Sequence, residues 1–223
     1  MQQQFANYLE REEVRTVISA IPLVSRYPDR DVLLVETLWE TGARVSEVLP
    51  LTPDAIRLTS ITLPNLKQKM SLKGEDGKVV RNEWNKTIKV NNPDAKKEVE
   101  VSSKLCDELR KYCEHYKIQG SQYVFQSPRG GHVKRGYVWK MLDRASSTVG
   151  ILRFGKRHPR TGGRFKGVYP HMFRHSSAMF LLDQTGDITL VQEHLGHAGI
   201  LTTMVYARIQ KPKIKRVIAG IEF

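Results

Sequence analysis

Apolar residues recur at helical spacing along most of the chain and alternate with period two in only a short part of it. Val14, Val17, Ile18 and Ile21 predict a helix within Phe5–Ile21 that Pro22 ends. Val32, Val35, Leu38 and Trp39 predict a second over Asp31–Thr41, with Gly42 as its stop. A short third helix, Val45–Leu49, runs up to Pro50, and Thr52-Pro53-Asp54 reads as a turn. Ile56–Thr59 and Ser60–Leu63 are short and β-branched, and Lys97–Val101 alternates. The polar, glycine-bearing stretch 67–89 between them fits a long hairpin or an inserted loop. Ser102 or Ser103 caps a further helix with Leu105, Cys106, Leu109 and Tyr112 on one face. Tyr123–Phe125 is a short extended piece, 127–131 a turn, and Val133–Val149 another helix. Met172–Thr185, Ile188–Leu195 and Leu201–Arg208 predict three more, split at Gly186-Asp187 and Ala198-Gly199. The expected fold is mainly α with a small antiparallel β-sheet, an α+β domain over residues 1–223. Within it we distinguish an N-terminal helix region (1–30), a basic inserted loop (151–168) and a C-terminal tail (210–223).

Composition narrows the function class. Of 223 residues, 40% are hydrophobic and 26% charged, the balance of a soluble globular chain. No run approaches the roughly 18 apolar residues of a membrane span, and the first 20 residues hold no signal-peptide core. Two cysteines, Cys106 and Cys113, make no disulfide framework. The expectation is a cytoplasmic protein with no membrane partner. Its 36 Lys+Arg against 23 Asp+Glu leave +13, which suits a polyanion. The excess is uneven: residues 151–223 hold 12 basic and 4 acidic side chains, net +8 from a third of the length. From Gly150 to Leu182 there is no acidic residue, and Arg153, Lys156, Arg157, Arg160, Arg164 and Lys166 fall in the glycine-bearing loop there. This is either a solvated loop or one that lies along a phosphate backbone, and charge alone does not choose.

The last third carries His171-Met-Phe-Arg174-His175, then Leu195-Gly-His197, then Tyr206. His171 and Arg174, three apart at a helix start behind Pro170, share a side. The Ala198-Gly199 break lets the helices fold back, so that an imidazole, a guanidinium and a phenol are able to meet. Each residue also has a plain reading. Arg44 is able to pair with Glu47 on a helix surface. The histidines fit structural hydrogen-bonding roles, or metal-ligand pairs His171/His175 and His194/His197. Tyr206 fits a buried aromatic, Lys67 a solvated turn lysine, and the two cysteines inert packing. His194 fits a helix surface and His175 packing.

Together with Thr41-Gly-Ala-Arg44-Val-Ser-Glu-Val-Leu-Pro-Leu, these motifs resemble the tyrosine recombinases of the phage-integrase family in order and separation. The resemblance implies a catalytic domain that cuts DNA through a 3′-phosphotyrosyl intermediate. Tyr206 would be the nucleophile, Arg44 and Arg174 the clamps on the nonbridging oxygens, His197 a further donor, and His171 a partner in proton transfer. It also implies a hairpin lysine as acid for the leaving oxygen; Lys67 matches best, with Lys69, Lys73 and Lys86 as alternatives. No metal or other cofactor is implied. The implied partners are double-stranded DNA and further copies of the chain, as a tetramer, in a nucleoid-associated protein of prokaryotic or mobile-element origin. The tail would dock on a neighbouring subunit or on its own domain.

The chain departs from the family in two ways. It is expected to lack the separate N-terminal core-binding domain, which an accessory protein would then supply if one is needed. Its basic loop 151–168 is an extra segment. Two rival functions share the motifs: a type IB topoisomerase, and a DNA-binding regulator without activity.

Overall fold

A computed structural model of the chain describes residues 8–66, 68–73, 78–92, 94–152 and 167–196. The apolar stripe of the first segment forms α1 (Arg11–Val24), which buries Val14, Val17, Ala20 and Ile21. The helix starts at Arg11, where the Glu10 backbone N–H donates to Glu13 Oε2 (2.9 Å). It runs two residues past Pro22, because a proline in the last turn costs only one hydrogen bond and the Ser25 N–H still reaches the Ile21 carbonyl. α2 (Pro28–Thr41) begins three residues before Asp31, with Pro28 in its first turn, where the missing N–H costs nothing. Its buried face is centred on Leu34, Val35 and Leu38, while Val32 and Trp39 are half-buried. α2 packs against α1, against α4 (Ser103–His115) and against α6 (Pro170–Thr185), and so forms the middle of the bundle.

Buried charges tie α2 to α5 (Arg135–Thr148). Arg30 pairs with Asp31 (2.8 Å) and donates to the Gln126 carbonyl, with its guanidinium against the Tyr27 and Tyr137 rings. Tyr137 and Ser25 both donate to Asp31 Oδ2. Every buried charge here has its partner, as a dry interior demands.

The β-structure is two separate antiparallel pairs in place of one small sheet. β1 (Ser60–Pro64) and β4 (Lys96–Glu100) form one antiparallel pair, with Leu63 opposite Lys97 and Pro64 opposite Lys96. β2 (Lys69–Ser71) and β3 (Lys89–Asn91) form a second pair. Ile56–Thr59 is no strand; a tight turn through Pro53–Ala55 leaves it one bridge, between Ile56 and Ile61. Tyr123–Phe125 joins no named strand either. Ser102 caps α4 by accepting from the Leu105 N–H, and Cys106 and Cys113 are buried in its face. Burial pushes both thiols up, Cys113 to about 11, so they are packing groups and not nucleophiles. α3 (Val45–Val48) and α7 (Ile188–Leu195) complete the described elements, and the helix expected over 201–208 lies outside them. Among the described residues no helix is long and apolar enough to cross a membrane.

Candidate active site

Gly42 is the point around which the site is built. It ends α2 at φ +54°, a backbone conformation that favours glycine. A Cβ there would stand 2.5 Å from Leu195 Cδ2 and 3.1 Å from Ser177 Oγ, so α6 and α7 approach the α2 terminus directly. The turn delivers Arg44 as the residue before α3. From α6, Arg174 reaches the same place. It is only 2% exposed, and it donates from Nη1 to the Gly42 carbonyl (2.5 Å) and from Nη2 to the Leu195 carbonyl (2.9 Å). One guanidinium therefore joins the C-terminal ends of α2 and α7, where helix dipoles favour a cation.

Glu47 lies one turn beyond Arg44 and is fully buried. It accepts the Arg44 backbone N–H (2.9 Å), the Arg44 guanidinium (2.8 Å) and the Lys97 ammonium (3.0 Å). Burial by itself would raise its pKa. The Arg44 N–H, Lys97 and the Arg44 charge outweigh that and hold the carboxyl below its ordinary range. The surface pair that Arg44 and Glu47 would make on an isolated helix is here the floor of a site. Burial lowers the pKa of Lys97, Glu47 raises it, and Arg174 and Arg44 lower it further; the net shift is downward.

Lys97, the ion-pair partner of Glu47, is a residue that the motif reading passes over. Its signal lay in the alternation of β4, where Lys97 shares a face with buried Val99. A lysine on an inward strand face needs an anionic partner. Its Nζ stands 3.8 Å from where a Cβ on Gly196 would be, so it packs beside the residue that precedes His197.

Above this floor lies an open cleft of about 410 Å³ lined by Arg44, Val45, Ser46, Arg135, Gly136, Trp139, Tyr169, Pro170 and His171. Arg135 is a second residue that the sequence motifs do not mark. It opens α5, while Pro170 and His171 open α6. Two positive helix ends and two guanidiniums thus border one hollow, an arrangement that selects an anion such as a phosphodiester.

His171 is exposed at this cleft, and its ring meets the edge of His175 at 4.6 Å between centroids. Burial, with help from the charges of His171 and Arg174, lowers His175 to about 4, so it is neutral near pH 7. His194 is not a surface residue of α7. It is half-buried against the Glu40 carbonyl (3.0 Å), and burial lowers its pKa as well. Among the described residues no three His, Cys, Asp or Glu side chains gather as a metal site requires.

Of the residues singled out by sequence, Arg44 and His171 line one cleft, and Arg174 is tied to the turn before Arg44 through the Gly42 carbonyl. Lys67, His197, Tyr206 and the loop residues Arg153, Lys156, Arg157, Arg160, Arg164 and Lys166 lie outside the described residues. Lys69, Lys73 and Lys86 are exposed on the projecting β2–β3 segment.

Comparison with known proteins points the same way. A family model described as the phage integrase family matches residues 7–213. The chain is 29% identical over 191 residues to the tyrosine recombinase XerD of Mycobacterium tuberculosis, covering 86% of this chain and 51% of that one. To XerD of Chlorobaculum tepidum it is 30% identical over 226 residues, covering 97% and 63%. It therefore spans roughly half to two thirds of the length of these relatives. Its fold is that of the XerA recombinase (TM-score 0.68, 20% identity, 100% of this chain and 66% of that one). It is likewise similar to the catalytic domain of bacteriophage HP1 integrase (TM-score 0.54, 21% identity, 96% and 94%).

Proposed function

We propose, from the premise that this chain belongs to the phage integrase family, that it is a site-specific recombinase cutting and rejoining double-stranded DNA through a covalent phosphotyrosine. The observation that carries the reading is the joined set Arg44–Glu47–Lys97 and Arg174–Gly42, which meets through Arg44 a cationic cleft that His171 also lines. The phage-integrase resemblance supplies the roles of the residues beyond the described set. The Tyr206 oxygen attacks phosphorus, the P–O5′ bond breaks, the phenol gives up its proton, and the departing oxygen takes one up. One phosphoester replaces another, so the reverse attack by a 5′ hydroxyl reseals the strand without ATP or metal.

Each described residue has a physical task in that step. Charge builds on the nonbridging oxygens during attack, and fixed cations stabilise it at little reorganisation cost. Arg44, held by Glu47, faces the cleft with part of its side chain exposed. Arg174 is anchored by two carbonyls, so its position is set before substrate arrives. By the family resemblance His171 exchanges a proton with Tyr206, and His197 donates to the phosphate. Lys67 acts as the acid for the leaving oxygen, and Lys97 positions Glu47 and through it Arg44. The loop residues Arg153, Lys156, Arg157, Arg160, Arg164 and Lys166 bind the flanking backbone. The active form is a tetramer on DNA, as sequential single-strand exchange requires. An accessory protein would supply any clamp that this chain does not.

The test is a duplex nicked beside the cut site, so that the short released strand diffuses away. Wild-type protein is expected to leave a denaturant-resistant DNA adduct, and Tyr206→Phe to bind but leave none. An adduct that survives in Tyr206→Phe would remove Tyr206 from the role. Relaxation of supercoiled plasmid lacking any target sequence would move the reading to a topoisomerase, and binding without cleavage to a regulator.

A further inference from the structure

Between β1 and β4 the described residues from Leu66 to Asp94 add no buried side chain to the core; each whose burial is given is exposed or half-buried. The segment is nonetheless ordered by a closed set of backbone bonds. The Leu72 N–H donates to the Ile88 carbonyl (2.8 Å), Ile88 to Val80 (3.0 Å), and Val80 to Leu72 (2.8 Å). Three short extended pieces, spaced eight residues apart, thus meet in one ring, with bridges Lys73–Val79 and Arg81–Thr87 leading outward from it. The β2–β3 pair is the stem of this arm.

One tip of the arm is built around an unsupported tryptophan. The Asn82 side-chain oxygen accepts the N–H groups of Trp84 (3.1 Å) and Lys86 (2.9 Å), while Asn85 takes φ +57° and its N–H donates to the Asn82 carbonyl. The Arg81 guanidinium donates to the Asn85 carbonyl (3.2 Å). The turn is therefore fixed by polar groups and backbone, while the Trp84 indole, on a residue 71% exposed, is none of the groups that make these bonds. Arg81 and Lys86 flank it in the turn, and Lys69, Lys73, Lys78 and Lys89 lie along the rest of the arm, all exposed, against the described acids Glu83 and Asp94. A large indole held out among cations is suited to a partner that offers both phosphates and flat apolar rings.

The position of the arm's root adds the location. It leaves the domain at Pro64 and Lys96, one residue along the strands from the Leu63–Lys97 pair, and Lys97 is part of the site floor. Eight residues separate Pro64 from the Leu72 ring, so the arm spans at most about 26 Å before that ring, and the Trp84 turn lies beyond it.

We infer that this arm is a second DNA contact. It lies along the duplex flanking the cleaved phosphodiester, with its cations on phosphates and Trp84 against a base or sugar face in the groove. A two-stranded ribbon is of a width that a DNA groove admits. The inference rests on the recombinase reading for the identity of the DNA, but not for the existence of the contact.

The test compares binding of the full chain to two duplexes centred on the cut site, one extending about 15 base pairs to each side and one about 4, roughly 50 Å and 14 Å. On the long duplex Trp84→Ala is expected to weaken binding ~10-fold with an unchanged salt slope, because stacking is uncharged. Trp84→Phe should restore most of that loss. Arg81→Gln with Lys89→Gln should flatten the slope of log K against log salt by about 2. On the short duplex all variants should match wild type. Circular dichroism of each variant checks the fold. Binding of Trp84→Ala and of the charge variant within twofold of wild type on the long duplex would overturn the inference. So would unchanged single-site binding with lost pairing of two protein-bound duplexes, which would make the arm a protein contact. A wild type that binds but forms no covalent adduct would count against the recombinase reading alone, leaving the arm comparison readable.

Discussion

The Arg174 guanidinium holds the Gly42 carbonyl, two residues before Arg44, so the two arginines of the site are fixed by one turn of backbone. Moving that turn moves both. Gly42→Ala would place a methyl 2.5 Å from Leu195 Cδ2 at a positive φ. We expect a loss of about 2–4 kcal/mol in urea unfolding, from left-handed strain and overpacking together. Cleavage should fall with it even where the protein remains folded. A loss below about 0.5 kcal/mol would show that the turn adjusts freely.

Arg174→Lys separates anchoring from chemistry. Lysine keeps the charge but cannot reproduce a two-pronged grip on the Gly42 and Leu195 carbonyls. Stability should fall by about 1–3 kcal/mol as one buried carbonyl loses its donor. Single-turnover cleavage should fall ~100-fold, as when one oxyanion donor is removed. A variant that loses stability yet cleaves within threefold of wild type would make Arg174 purely structural.

The Lys97–Glu47 pair gives a second test. Lys97→Met leaves the buried Glu47 carboxylate with Arg44 as its remaining partner, and we expect about 1–3 kcal/mol of destabilisation. Adding Glu47→Gln should recover part of it, since the under-compensated charge goes too. A double-mutant cycle that shows no coupling would contradict the geometry.

Acidification should weaken the fold in two windows. His175 is held near 4 against an ordinary 6.5, so the unfolded chain binds the extra proton and stability declines as pH falls from 6.5 towards 4. Between pH 7 and 5 this amounts to about 1–2 kcal/mol after allowance for partial exposure. Glu47, held below its ordinary 4.5, contributes stability above that value and loses it below. His175→Gln should flatten the pH 7–5 part of the profile, read from unfolding midpoints, while leaving the lower part.

The helices were legible in the sequence because α1, α2, α4 and α5 bury stripes at i, i+3 and i+4 that no strand pattern imitates. The motif residues Arg44, His171 and Arg174 were legible through their neighbours. Lys97 and Arg135 were not, because each matters through a partner far away in the chain: Lys97 meets Glu47 fifty residues earlier, and Arg135 meets the Arg44 cleft from another helix. His194 read as a surface residue because its acceptor is the backbone carbonyl of Glu40, which leaves no trace in side-chain pattern. The arm read only as a long hairpin or an inserted loop because its order comes from a three-way backbone ring and not from alternation.

The most direct measurement is the identity of the residue that carries DNA. Adduct trapped on a nicked duplex is digested with protease and nuclease, and the nucleotide-bearing peptide is read by mass spectrometry. The account predicts a 3′-phosphonucleotide on Tyr206, with the signal lost in Tyr206→Phe and strongly reduced in Arg174→Ala. A nucleotide on any other residue, Tyr169 at the cleft included, or an unreduced signal in Arg174→Ala, would contradict it.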